Sequence, residues 1–194
     1  MVAVRLAILG CGAWGQNHVR AALRLDGAEL VAAYDPRAEA LAQVARRAPH
    51  VRLATSAAEA VAAADAVIVA APAPLHGALA RVALAAGRDV LVEKPLTLDL
   101  AEAEALVAEA RRHERILMVG HVLRYHPAFR ALEARANSGA LGELTELVAV
   151  RTNPVHTRTD ERALWSLAPH DVSMVCALMG GAPVEVRATG HEDL

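Results

Sequence analysis

The chain has 194 residues, 55% of them apolar and 22% charged, with a net charge of −2 and a mean hydropathy of +0.27. That supplies one full domain, or one and part of a second, with a sizeable core, and argues against disorder. The charge balance, with no basic run, excludes a nucleic-acid partner; the longest apolar run, DAVIVAAPAPL, is too short and proline-broken to cross a bilayer, so no membrane role is expected.

The first predicted strand, residues 2–9, runs into GCGAWG, with no small-residue cleavage site after it, so a signal peptide is not expected. Gly10, Gly12 and Gly15 stand in G-x-G-x-x-G spacing. In such a turn the first glycine permits the bend, the second lets backbone approach a pyrophosphate, and the third allows close helix–strand packing. Ala13 and Trp14 fill the intervening positions, so residues 10 and 12–15 form a candidate phosphate cradle at a helix N-terminus. Cys11 lies in this turn and Cys176 in a later predicted helix; without metal-ligand spacing, both read as reduced packing residues of a cytoplasmic protein.

A second strand, 28–34, ends at Asp35, about 20 residues beyond the third glycine, where a carboxylate receives ribose hydroxyls and repels a 2′-phosphate. This favours NAD over NADP. Asp35 before Pro36 also fits a helix N-cap, and Arg37 could pair with a 2′-phosphate, so those alternatives stay open. Ser56 with Glu59 makes a capping box, and Asp99 with Glu102 another, whose helix closes on Arg111 and Arg112. Between them come strands 64–70 and 89–93, with 115–120 following. Strands apolar on both faces, alternating with helices, indicate an α/β fold: a doubly wound parallel sheet of Rossmann type over residues 1–122.

Strand 89–93 leads into VLVEKPL, where Lys94 is the chain's one lysine beside nineteen arginines. Arginine stays protonated at any working pH, whereas an amine can exchange a proton and sit compactly against a single alcohol oxygen. Ligands of open parallel sheets bind at the carboxyl edge, so Glu93 and Lys94 are expected to face the cofactor crevice. From residue 123 the pattern changes: a helix ending near Gly139, a strand over 143–152, a polar stretch 153–162, a helix over 169–181 and a strand over 183–189. Residues 123–194 therefore read as an incomplete second α/β domain.

GCGAWGQNH, APAPLHGALA, GRDVLVEKPLTLD, GHVLRYHPAF, SGALGE and LWSLAPHDVS occur in that order, and together they resemble the glucose-fructose oxidoreductase and inositol dehydrogenase family (Gfo/Idh/MocA) over nearly the whole chain. The resemblance implies an N-terminal Rossmann domain for NAD(P) and a C-terminal domain carrying a sugar or polyol pocket and often the oligomer interface. It implies that Lys94 lies by the nicotinamide and the substrate hydroxyl, and that His170, in LAPHDVS, shares in proton transfer; the ordinary histidine pKa of about 6.5 suits that work. Ala71, Pro72 and His76 then line the cofactor crevice, with a helix start as the equal alternative for His76; Arg124, Tyr125, Trp165 and Ser166 are candidate substrate contacts, with hinge packing as the alternative for Arg124 and Tyr125. Family members commonly carry aspartate four residues before the histidine; Ser166 there puts inositol specificity in doubt, and the LWSLAPHD wording is closer to nucleotide-sugar members. Members also run substantially longer than this chain.

The expected activity is thus hydride transfer between a sugar, polyol or nucleotide-sugar carbinol and NAD, in a homo-oligomer without a metal. Two alternatives stand beside it: a non-catalytic NAD-binding sensor or truncated remnant, and a reductase of an imine or enone using NADPH.

Overall fold

The computed structural model describes residues 2–152 and 163–190, so the polar stretch 153–162 lies outside the described residues. It divides into two compact units, Met1–Gly120 and His121–Leu194.

In the first unit, six strands form one parallel sheet: β1 (Val4–Leu9), β2 (Ala28–Tyr34), β3 (Arg52–Leu53), β4 (Ala66–Val69), β5 (Asp89–Glu93) and β6 (Leu117–Gly120), in the order β3-β2-β1-β4-β5-β6. This is the doubly wound arrangement, whose direction reverses between β1 and β4. Helices α1 (Gly15–Ala22), α2 (Ala38–Arg47), α3 (Ala57–Ala62), α4 (His76–Ala85) and α5 (Leu100–Arg112) connect the strands. Strand β3, two residues long, has no counterpart in the sequence reading, because so short a run carries no periodicity.

Alternation along the strands assigns each side chain to a layer. Ala7 and Leu9 of β1 join Val67, Val69, Val90 and Val92 in a core beneath α3, α4 and α5. Ile8 points the other way, packing with Leu30 and Ala33 against Val19 and Ala22 of α1 and Ala40 and Val44 of α2. Fully buried side chains such as Leu84 and Leu106 each contribute about 1.5–3 kcal/mol.

Local signals hold the helices in register. Ser56 Oγ accepts from Glu59 N at 3.1 Å, and Asp99 Oδ1 accepts from Glu102 N at 2.8 Å. The Glu59 carboxylate receives Thr55 N, one residue earlier than a full capping box would have it. Helix α2 is capped at Arg37, not at Asp35.

The second unit holds α6 (Pro127–Asn137), followed by Gly139 at φ +74°, and α7 (Ala163–Leu178). The structure of this unit departs from the sequence expectation in two places. The described residues of 143–152 and 183–189 form no strand: neither segment has a ladder partner, and Val150 and Val186 stand 84% and 76% exposed. An extended segment without a neighbour leaves its backbone groups to water. In addition, α7 already includes Ala163, with Pro169 inside it, although a proline suggested a helix start. The apolar run ALWSLA carries the helix across the bond to Trp165 that Pro169 cannot donate. His170 therefore lies inside a helix and does not open one, and Trp165 is helical as well. Among the described residues, no helix is long and apolar enough to cross a membrane, and no His/Cys/Asp/Glu group could hold a metal ion.

Candidate functional site

Strand register sets the site. Leu9 pairs with Val69, Val69 with Val92, and Glu93 with Gly120. The residues that follow, Gly10 after β1, Ala70 and Ala71 after β4, and Lys94 after β5, therefore emerge side by side at the carboxyl edge, strands about 4.8 Å apart.

The glycine turn is sterically dictated. Gly10 has φ +93°, and a Cβ there would sit 2.5 Å from Ala71 N and 2.6 Å from the Ala70 carbonyl carbon. A Cβ on Gly15 would overlap the Gly10 carbonyl oxygen, which fixes α1 tightly against the end of β1. Gly12 differs: its missing side chain faces only the tip of Arg37, with Nη2 at 3.1 Å. Ala13 and Trp14 are exposed at the mouth of the turn, ahead of the first N–H groups of α1. The three glycines thus fit a pyrophosphate: two make the turn possible and one keeps its face low.

Asp35 is 4% exposed and ties this turn to β2. Its Oδ2 accepts from Cys11 N at 2.8 Å and Arg37 Nη2 at 2.9 Å, and its Oδ1 accepts from Arg37 N and Nε, both at 2.9 Å. Burial pushes this carboxyl up, but the Arg37 and Cys11 donors outweigh it and hold it below the usual carboxylate range. Burial, with Asp35 beside it, pushes the Cys11 thiol up to about 12, so it stays an unreactive packing group.

His76 is 1% exposed. Its Nδ1 lies 2.7 Å from the Pro95 carbonyl and its Nε2 2.8 Å from the Ala71 carbonyl, so the ring joins the loops after β4 and β5. Pro72 is exposed and Ala71 half-buried beside it.

Glu93 is 7% exposed. Val90 and Val92 face α3, α4 and α5, so alternation turns Glu93 to the α1 side. Its Oε1 accepts from Trp14 Nε1 at 2.6 Å and lies 2.7 Å from His18 Nε2, while Oε2 accepts from Lys94 N at 3.3 Å. Burial raises this carboxyl, but the His18 and Trp14 contacts prevail and lower it. Lys94 itself is half-buried. His18, not among the expected site residues, carries one signal in the sequence: it stands four residues after Trp14, the N-cap of α1, so the two side chains share a face.

In the second unit, Arg124 donates to Glu133 Oε1 at 2.9 Å and to the Ser173 carbonyl at 3.4 Å, and lies over the Phe129 ring. Tyr125 is exposed. Trp165, Ser166 and His170 lie along α7, with Ser166 and His170 one turn apart and half-buried. Asp171 next to them is held by a bidentate Arg151.

Residues 4–121 match the family model described as "Oxidoreductase family, NAD-binding Rossmann fold". The chain is 34% identical over 191 residues to UDP-N-acetylglucosamine 3-dehydrogenase of Acidithiobacillus ferrooxidans, covering 98% of this chain and 59% of that protein. It is 31% identical over 190 residues to inositol 2-dehydrogenase of Corynebacterium glutamicum, covering 95% and 56%. The crystal structure of myo-inositol 2-dehydrogenase from Lactobacillus plantarum superposes with a TM-score of 0.69 at 28% identity, over 73% of this chain and 43% of that one. The chain thus spans a little over half the length of the curated relatives it matches.

Proposed function

This chain belongs to the oxidoreductase family with an NAD-binding Rossmann fold, and we propose that it carries the cofactor-binding half of an NAD-dependent dehydrogenase acting on a sugar, polyol or nucleotide-sugar carbinol. One observation carries the reading: the chain's only lysine leaves β5 on the same sheet edge that bears the glycine turn.

When bound, NAD supplies the acceptor for the hydride that the carbinol carbon gives up. Gly10, Gly12, Ala13, Trp14 and Gly15 seat the pyrophosphate at the N-terminus of α1. Asp35 receives the adenosine ribose hydroxyls, with Arg37 beside it, and Ala71, Pro72 and His76 wall the crevice. Lys94 holds the alcohol oxygen and stabilises its developing negative charge. His170 takes the hydroxyl proton, and Arg124, Tyr125, Trp165 and Ser166 contact the substrate. Residues 123–194 belong to the substrate and oligomer domain. Homo-oligomer formation and a cytoplasmic location are part of the same proposal; the free thiols of Cys11 and Cys176 support a reducing compartment.

A nucleotide-sugar substrate is favoured by the similarity to UDP-N-acetylglucosamine 3-dehydrogenase and by Ser166, which donates to a sugar hydroxyl but accepts no proton as a carboxylate would. A second reading, a non-catalytic NAD-binding sensor, is favoured by the lack of any strand among the described residues of the second unit. Absorbance at 340 nm with NAD⁺ and a panel of UDP-sugars, free sugars and inositols separates the two. Turnover of any of them supports the dehydrogenase; NADH binding without turnover across the panel supports the sensor.

A further inference from the structure

The carboxylate of Glu93 touches three separate elements. Oε1 receives the Trp14 indole N–H from the glycine turn and faces His18 of α1, while Oε2 receives the amide of Lys94. Its far face lies flat on Gly120 at the end of β6, where a Cβ would come within 3.1 Å of Cδ and both oxygens. A side chain at position 120 would make the carboxylate give by a few tenths of an ångström. The turn and Lys94 are two strands apart, about 10 Å, and the Trp14 side chain spans that gap. A surface ion pair explains none of this, because the group is buried and each oxygen has its own set of partners.

We infer that Glu93 is a positioning residue: it couples the pyrophosphate turn to Lys94, so that occupancy of the turn is felt at the lysine. Trp14 is the moving part. It is 47% exposed between the second and third glycines, where a seated pyrophosphate would press on it. A displacement of the indole passes to Oε1, and through the rigid carboxylate to the amide that sets the Lys94 backbone. His18 holds the same oxygen from the helix. This inference rests on the proposed function only for the cofactor's identity.

The single lysine gives a direct readout. Reductive ¹³C-methylation labels Lys94 and the chain's α-amine, so one side-chain signal reports the site. In the wild-type protein, saturating NADH displaces that signal. Glu93→Gln can keep its oxygen toward Trp14 and His18 only by turning its amide donor against the Lys94 N–H, so the Lys94 link is the one lost. In this variant the ligand-free Lys94 signal moves from its wild-type position, and the displacement at saturating NADH falls to roughly half or less. Trp14→Phe leaves every charge in place and removes the turn link alone. There the ligand-free signal stays near its wild-type position, and the NADH-induced displacement again falls by at least half.

Wild-type displacement at saturation in both variants overturns the inference, as does a ligand-free Glu93→Gln signal identical to wild type. If Glu93→Gln does not fold, as circular dichroism would show, Trp14→Phe at a half-exposed position decides alone. If NADH leaves the wild-type signal unmoved, the cofactor reading fails, and the ligand-free comparison still decides whether Glu93 positions Lys94.

Discussion

Three glycine-to-alanine variants, two in the candidate cradle and one outside it at Gly27, separate backbone strain from lack of space. Gly27 has φ +81° and nothing within 4 Å of its missing Cβ, so Gly27→Ala bears conformational strain alone, about 1–2 kcal/mol. Gly10 has φ +93° and would bring its Cβ to 2.5, 2.6 and 2.7 Å from backbone atoms of Ala71 and Ala70, which cannot rotate aside. Strain of about 1–2 kcal/mol and overpacking of about 1–3 kcal/mol add to about 2–5 kcal/mol for Gly10→Ala. Gly15→Ala has no strained φ but meets the Gly10 carbonyl, so it loses the overpacking share alone, about 1–3 kcal/mol. In a chain of this size each kcal/mol moves the Tm by about 3 °C, so Gly27→Ala costs about 3–6 °C and Gly10→Ala about 6–15 °C. Differential scanning calorimetry with urea unfolding measures all three. Equal losses in Gly10→Ala and Gly27→Ala would refute the reasoning, because space would then play no part in the turn.

Asp35→Asn keeps an oxygen for Cys11 N but turns amide hydrogens toward the Arg37 donors, so the pair opens and the charge that repels a 2′-phosphate disappears. The Kd ratio of NADPH to NADH, read from nucleotide fluorescence titrations, should shift toward NADPH by about tenfold. His76→Ala removes a buried ring between two carbonyls and should lower stability by about 2–4 kcal/mol in urea unfolding. The carboxyls of Asp35 and Glu93 lie below their usual range in the folded chain. Their contribution is therefore full above the unfolded values of about 3.9 and 4.3, and is lost as pH falls through the folded ones. These two carboxyls should leave the Tm unchanged above pH 5 and lower it below about pH 4, with a shallower drop in Glu93→Gln; the Asp65 carboxyl, lowered to about 2 by Arg5, keeps its share longest.

The Rossmann unit was legible because its signals are local. Strands 28–34 and 89–93 have the bounds read from the sequence, and the caps at Ser56 and Asp99 form as their spacing implies. Position at the sheet edge was legible too, since Gly10 and Lys94 end consecutive-pattern strands. What escaped was long-range pairing. Nothing near Glu93 in the sequence tells that its carboxylate pairs with Trp14, 79 residues away, although the parity of Val90 and Val92 puts it on that face. Nor does anything beside His76 in the sequence tell that its ring joins the Pro95 and Ala71 carbonyls. In the second unit, the β-branched alternation of 143–152 and 183–189 signals strands, but a strand exists only with a partner, and these described residues have none. Proline at 169 misled for a different reason: it suits a helix start, yet the apolar run before it was strong enough to carry α7 through.

The account turns on an amine at position 94. Turnover on the responsive substrate of the panel, measured at 340 nm alongside an NADH titration, should vanish in Lys94→Arg while the NADH Kd stays within about twofold of wild type. Undiminished turnover in that variant would contradict the account.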